Sequence, residues 1–299
     1  MNVLWANRKS RVGVILLAVI GLVSLYGALG MSQADAARSV GESLAPPSAA
    51  HWLGTTLQGQ DVFTQTVAGA APTVGYALLV GVGVTLLSVL IGVSAGFFGG
   101  WIDASLGLFI NIFLLIPGLP LMLVLASMLP AGPASIAAVL IATGWPWSAR
   151  VLRSQALSLR NRPFIDAARL SGDPPLVIVM IHVVPNMASL IGTSFIGATT
   201  YAVGAQVPLE LLGLGDPSRV TWGTNLYWAT NDQALLTGAW WTFVPTGICI
   251  ASLTLGLVMM SFALDEITNP SLTARRHFQR MLGRPARLDT VALVEEAKR

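Results

Sequence analysis

Apolar and polar positions along this chain separate into long blocks. Val12–Met31 carries no charge over twenty residues, about one bilayer thickness when helical. Pro72–Gly100 is likewise charge-free, and Ala104–Ala149 runs 46 residues without a formal charge. That is too long for one span, and Pro130-Ala131-Gly132-Pro133 divides it in two. Met187–Gln206 and Trp240–Leu264 complete the set, so the pattern predicts six membrane spans in an all-α protein. For the first block the alternative is a cleaved signal peptide, since Ala34-Asp35-Ala36 loosely resembles a cleavage site, but the apolar run is long for one. Between the blocks lie the mixed loops Ser32–Ala71 and Val207–Ala239, a short polar turn at Trp101-Ile102-Asp103, and a basic tail, Asp265–Arg299.

The largest interruption, Arg160–Asn186, holds Arg160, Arg162, Asp166, Arg169 and Asp173. Pro163 suits a first helical turn, where its missing N–H would be unpaired anyway. Phe164–Leu170 reads as a short amphipathic helix, and Ala167 and Ala168 give it a shallow face. Gly172 is placed to take a positive φ at the helix end, and Pro174-Pro175 forbids continuation. A second apolar helix is predicted from about Leu176. In Pro72–Gly100 the spacing Gly92, Gly96, Gly100 marks a small-residue face for close helix packing in lipid.

Composition agrees with a polytopic membrane protein: 54% hydrophobic and 10% charged, against about 25% charge in soluble domains. Fifteen of the seventeen Lys/Arg fall at 8–11, at 150–169 and in the tail, with only Arg38 and Arg219 on the alternate loops. By the positive-inside rule both termini are cytoplasmic. The net charge of +3 follows from that distribution and implies no nucleic-acid partner. The single cysteine, Cys249, lies in an apolar stretch and reads as a small buried hydrophobe.

Several chemistries are excluded. The two lysines, Lys9 and Lys298, lie outside any Gly-rich loop, so no Walker-type phosphate cradle can be built. His51, His182 and His277 are far apart in sequence, and His51 lies across the predicted membrane from the other two, which argues against a metal site or a catalytic triad. The predicted spans lack Asp, Glu, Lys, Arg and His, the groups that ion-coupled transporters use at membrane depth. Asn111, Asn186 and Gln206 are the most polar side chains in or near them and read as interhelical hydrogen-bonding groups. The aromatics Trp222, Tyr227, Trp228, Trp240 and Trp241 read as anchors at a membrane interface. The basic tail reads as solvated or as lying on anionic lipid. Energy for transport must then come from a partner, and the basic 160–186 loop is its natural docking point.

Asp166-Ala167-Ala168, three residues, Gly172, nine residues, and His182-x-Val184-Pro185 resemble the EAA loop of ABC-importer permeases, E-A-A-x₃-G-x₉-I-x-L-P. His182-Val183-Val184-Pro185-Asn186 is similar to the H-I-L-P-N version found in dipeptide and oligopeptide permeases. His51-x-Leu53-Gly54-Thr55 with Gly59-Gln60-Asp61-Val62, Gly96–Asp103, Trp145–Arg150, and Leu212-Gly213-Leu214-Gly215 with Trp222-Gly223 resemble further segments of the C-type subunit of that family, across roughly residues 50 to 272. Departures are Gln60 and Ala71, where the family carries Arg, Gln206, where it carries Glu, and Ser261–Glu266 in place of its G-D-G-L-R-D segment.

The resemblance implies a type I ABC-importer permease fold in the bacterial inner membrane: residues 1–71 as N-terminal segment, first span and outer loop, 72–270 as permease core, and 271–299 as tail. It implies a non-enzymatic subunit paired with a second permease, served by one or two ATPase subunits that carry the ATP and Mg, and fed by an external binding protein. Pro163, Asp166, Ala167, Ala168, Arg169, Gly172 and Pro185 would form the ATPase-coupling loop. Peptides are the expected cargo, with nickel or another small solute as the alternative and no substrate-contact residue assigned. Outside that reading stand an ATP-independent secondary transporter or channel, a membrane-embedded hydrolase and an export permease.

Overall fold

A computed structural model describes residues 8–268, and the basic tail lies outside the described residues. The elements in chain order are α1 (Arg8–Gly30), α2 (Gln33–Ala36), α3 (Val62–Ala68), α4 (Ala70–Phe98), α5 (Gly100–Leu115), α6 (Gly118–Met128) and α7 (Pro133–Arg160). There follow α8 (Pro163–Leu170), then α9 (Pro175–Ile178), a π turn (Val179–Val183) and α10 (Val184–Asn186), then α11 (Ala188–Leu211). The chain closes with α12 (Trp222–Asn231), α13 (Ala234–Thr237), a 3₁₀ turn (Trp240–Thr242) and α14 (Val244–Thr268).

Four helical stretches are long and apolar enough to cross a membrane: Ser10–Gly30, Val62–Phe98, Pro133–Arg160 and Trp240–Leu264. Two further spans are bent pairs, α5 with α6 at 89° and Pro175–Asn186 with α11 at 72°. Six spans result when each bent pair counts as one. The block between Asp103 and Ala149 does part at 130–132, but it also breaks at Ile116-Pro117, both in extended conformation. Proline at 117 cannot continue the ladder of α5, so the span turns there.

Two expected boundaries move. Trp101-Ile102-Asp103 is the first turn of α5, and the reversal is made by Gly99 and Gly100 at φ +67 and +54. Helix α11 passes Gln206 and Pro208 and ends at Leu211, so Glu210, expected in a loop, belongs to a span.

The core has two centres along α4. In one, Val84, Leu140, Ala202, Val203 and Trp222 are sealed from solvent; in the other, Val93, Phe97, Leu152, Ala156, Ile165 and Val183 pack together. Gly92 and Gly96 lie directly on α7, where a Cβ would run into the carbonyls of Ala149 and Arg153. Gly100 is no packing residue: a Cβ there would meet open space, and its role is the left-handed turn. Gly81 on Thr199 and Gly144 on Tyr201 are close approaches that the glycine spacing did not mark.

Pro146 stands inside α7 and deprives the Ala142 carbonyl of its helical donor. The indole N–H of the neighbouring Trp145 donates to that carbonyl at 3.0 Å, and its ring stacks on Phe109 at 5.3 Å.

Candidate functional site

The segment 160–187 forms one end of the bundle. Arg162 precedes α8, Pro163 occupies its first turn, and the Asp166 N–H bonds the Arg162 carbonyl at 3.3 Å. At the other end the Gly172 N–H reaches the Arg169 carbonyl (3.1 Å) and the Asp173 N–H the Ala168 carbonyl (3.2 Å). That paired closure is a Schellman stop, and Gly172 takes the φ of +86° it requires.

α8 is amphipathic, and its apolar face is turned into the protein. Ile165 and Ala168 are buried against Phe97 of α4 and Leu152 and Ala156 of α7. Burial of Ile165 alone removes side-chain area worth about 2 kcal/mol from water. The two alanines therefore part company: Ala168 fits this helix to its own body, and Ala167 is exposed. Arg169 is likewise held at home, 3.0 Å from Asp166 and with its guanidinium 5.8 Å from the centre of the Phe97 ring. What α8 and the following turn present outward is Phe164, Asp166, Ala167 and Leu170, the last 90% exposed, with Leu176, Met180 and Ile181 beyond them.

Residues 179–183 wind as a π turn, with His182 3.8 Å from Asp173 and Val183 sealed in the second core centre. Pro185 follows in α10, just before the chain bends by 72° into α11. Beside this end Arg153 of α7 grips Asp103 of α5 in a fork, at 2.5 and 3.0 Å, and Arg160 lies against Gly99.

The opposite end is built from residues 32–68 and 213–242, which knit together. Gln33 exchanges two hydrogen bonds with Val220, the Trp222 indole N–H donates to the Thr66 carbonyl, and the Trp241 indole N–H to the Thr55 carbonyl. His51 meets Asp61 at 3.1 Å, and Asp61 caps α3 through the Thr64 N–H at 2.9 Å. Ser32 donates to Asp35 through its hydroxyl and its N–H and holds that carboxyl below its ordinary range. Ser218 does the same for Asp216. Gln60, in the family's arginine position, accepts from Gln65 and donates to the Ala37 carbonyl. Trp222 is not an interface anchor: it is wholly buried under this layer, while Trp228 and Trp240 remain exposed.

Sequence reasoning missed the group that fastens this layer to a span. Glu210 is 3% exposed and accepts from Gln206 Nε2 (2.8 Å), from Thr221 Oγ1 (2.5 Å) and from the Gly223 N–H. The expectation that the spans lack ionisable groups fails here because α11 continues past Pro208 and Thr221 folds back over it. Gln206 bonds to this neighbour one turn on, within its own helix. A Glu four residues after a Gln, next to a polar loop, is the only sequence signal for the site.

Four apolar helices long enough to cross a membrane, with two bent pairs between them, make this the architecture of a multi-span helical membrane protein. The chain belongs to the family of binding-protein-dependent transport system inner membrane components, whose model matches residues 88–273. It is thereby a permease component of the ABC transporter class, a transport subunit rather than a catalytic one. Among its relatives is the oligopeptide transport system permease protein OppC of Bacillus subtilis (strain 168), 30% identical over 89% of this chain and 87% of that one. The dipeptide transport system permease protein DppC of Alkalihalophilus pseudofirmus is 28% identical over the same shares. OppC of Mycobacterium bovis is 32% identical over 78% of this chain and 80% of its own.

Proposed function

We propose that this chain is one of two permease subunits of an ATP-driven importer of short peptides in a bacterial plasma membrane. Both termini and α8 lie on the cytoplasmic side, and the knitted layer of residues 32–68 and 213–242 faces outward. That orientation follows from the fifteen positive residues on the α8 side of the predicted topology. A cytoplasmic ATPase pair carries the ATP and Mg and seats α8 in a groove, reading Phe164, Asp166, Ala167 and Leu170. An external binding protein delivers peptide to the outer layer. The names of the relatives above support peptide as cargo.

The observation that carries this reading is α8 itself: it opens on Pro163, is closed by the Gly172 stop, is fixed to α4 and α7 by Ile165 and Ala168, and is apolar on its exposed tip. A partner that moves α8 therefore moves the spans it is fixed to. The test is ATP-driven uptake into proteoliposomes holding the chain with its co-expressed neighbours, wild type against Gly172→Asp. Aspartate at φ +86° strains the Schellman stop by about 1–2 kcal/mol and displaces α8, so uptake should be lost while the spans still insert. Transport by the purified chain alone, without ATP, would refute the importer reading.

A further inference from the structure

Between α5–α6, α7, α11 and α14 lies a partly open cavity of about 560 Å³. Its polar groups are the hydroxyls of Thr143, Ser148, Thr193, Ser194, Tyr201 and Ser261, with the Trp147 indole beside them. None of the residues lining it is charged. Thr143 and Thr193 donate back to carbonyls of their own helices, and Thr143 also meets the Tyr201 hydroxyl at 3.0 Å. Ser148, Ser194 and Ser261 have no hydrogen-bond partner among the described residues, although each sits half-buried in a span.

The broken span completes the wall. Leu114, Ile116 and Gly118 line the cavity at the 89° break, where α5 ends and α6 has not begun. The last carbonyls of α5 and the first N–H groups of α6 have no partner within their helices, and Leu121 N–H to the Pro117 carbonyl (3.2 Å) is where the ladder resumes. Unwound backbone at membrane depth is tolerated where it lines a water-filled space or is buried in protein, and never against lipid. The surface over it, with Leu115 82% and Trp147 69% exposed, is therefore not a lipid-facing one.

We infer that this cavity is the chain's share of the transit path, and that it handles a peptide through its amide backbone rather than its side-chain charges. This rests on the import reading above. Free peptide groups at 112–119 and the three unpaired serine hydroxyls offer donors and acceptors to the amides of an extended chain. A wall free of charge neither attracts nor repels an acidic or basic side chain, so cargo of either sign passes alike.

The experiment uses the full complex in proteoliposomes and measures ATP-driven uptake of tri-alanine and of its analogues with a central aspartate or lysine, each at saturation of the binding protein. Wild type should move all three at comparable rates. Ser194→Asp should slow the aspartate peptide relative to the lysine peptide by about tenfold or more, the scale of a unit charge at ~5 Å in a partly wet site. A companion variant, Ser194→Cys in a Cys249→Ala background, should react with a membrane-impermeant thiol reagent and be protected by tri-alanine during turnover. That second readout decides the matter if the aspartate variant fails to assemble. Wild-type uptake with no charge discrimination in Ser194→Asp, or with an unreactive or unprotected Cys at 194, overturns the cavity assignment and leaves the import function standing. Absence of wild-type uptake of all three peptides overturns both.

Discussion

Proline and glycine positions in this chain are matched to individual neighbours. Trp145 supplies the donor that Pro146 withholds from Ala142, so Trp145→Phe should keep the ring stack on Phe109 and leave that carbonyl unpaired. The expected loss is about 0.5–1.5 kcal/mol, the net contribution of one hydrogen bond at a partly buried carbonyl, read as a lower melting temperature in detergent. Glu210→Gln replaces one acceptor oxygen with an amide that faces existing donors, and should loosen the 213–238 layer by about 1–3 kcal/mol, seen as faster proteolysis there. Gly172 was legible in the sequence because a glycine before two prolines has one efficient use at a helix end. Glu210 was not, since its burial depends on Thr221, eleven residues on, folding back across α11. The alanine pair was legible as a shallow face, but which of the two faced inward depended on where α4 and α7 stood.

Among the elements, α8 behaves as a fixture of the second core centre. Ile165→Ala should cost about 2–5 kcal/mol locally and undock α8, so that trypsin cuts faster at the already exposed Arg162 and Arg169, with little change in insertion of the spans. The α2 cap gives a pH test. Hydrogen bonds from Ser32 hold Asp35 below its ordinary 3.8, so the cap is intact above that value and fades as pH falls through the lower folded value. Ser32→Ala removes the hydroxyl bond and keeps the backbone N–H, so it should raise the Asp35 titration part of the way toward the ordinary range, read by carbon-detected NMR. The charge-free blocks marked the apolar stretches, because hydropathy reports burial in lipid; four of them are helices long enough to cross a membrane, and six spans result when each bent pair counts as one. The blocks did not announce the breaks at Pro117 and Met187, whose geometry is set by packing between spans rather than by any one block.

For the whole molecule, the two ends differ in construction: one displays an apolar-tipped helix, the other a layer of buried hydrogen bonds between distant segments. In a Cys249→Ala background, Leu170→Cys should be labelled by an impermeant thiol reagent only from the cytoplasmic side and Gln58→Cys only from outside. The reverse pattern would invert the proposed orientation. The glycine contacts between α4 and α7 have a mechanical side as well. Helices of 29 and 28 residues, each about 42 Å long, are seated against each other at Gly92 and Gly96, with α8 fixed at that end. Such a pair is a lever: a tilt of about 5° about its far end sweeps the α8 end through roughly 4 Å, given a length of 1.5 Å per residue. A push of a few ångströms at the membrane surface thus becomes a few degrees of rotation along the wall of the cavity, without any helix having to unfold.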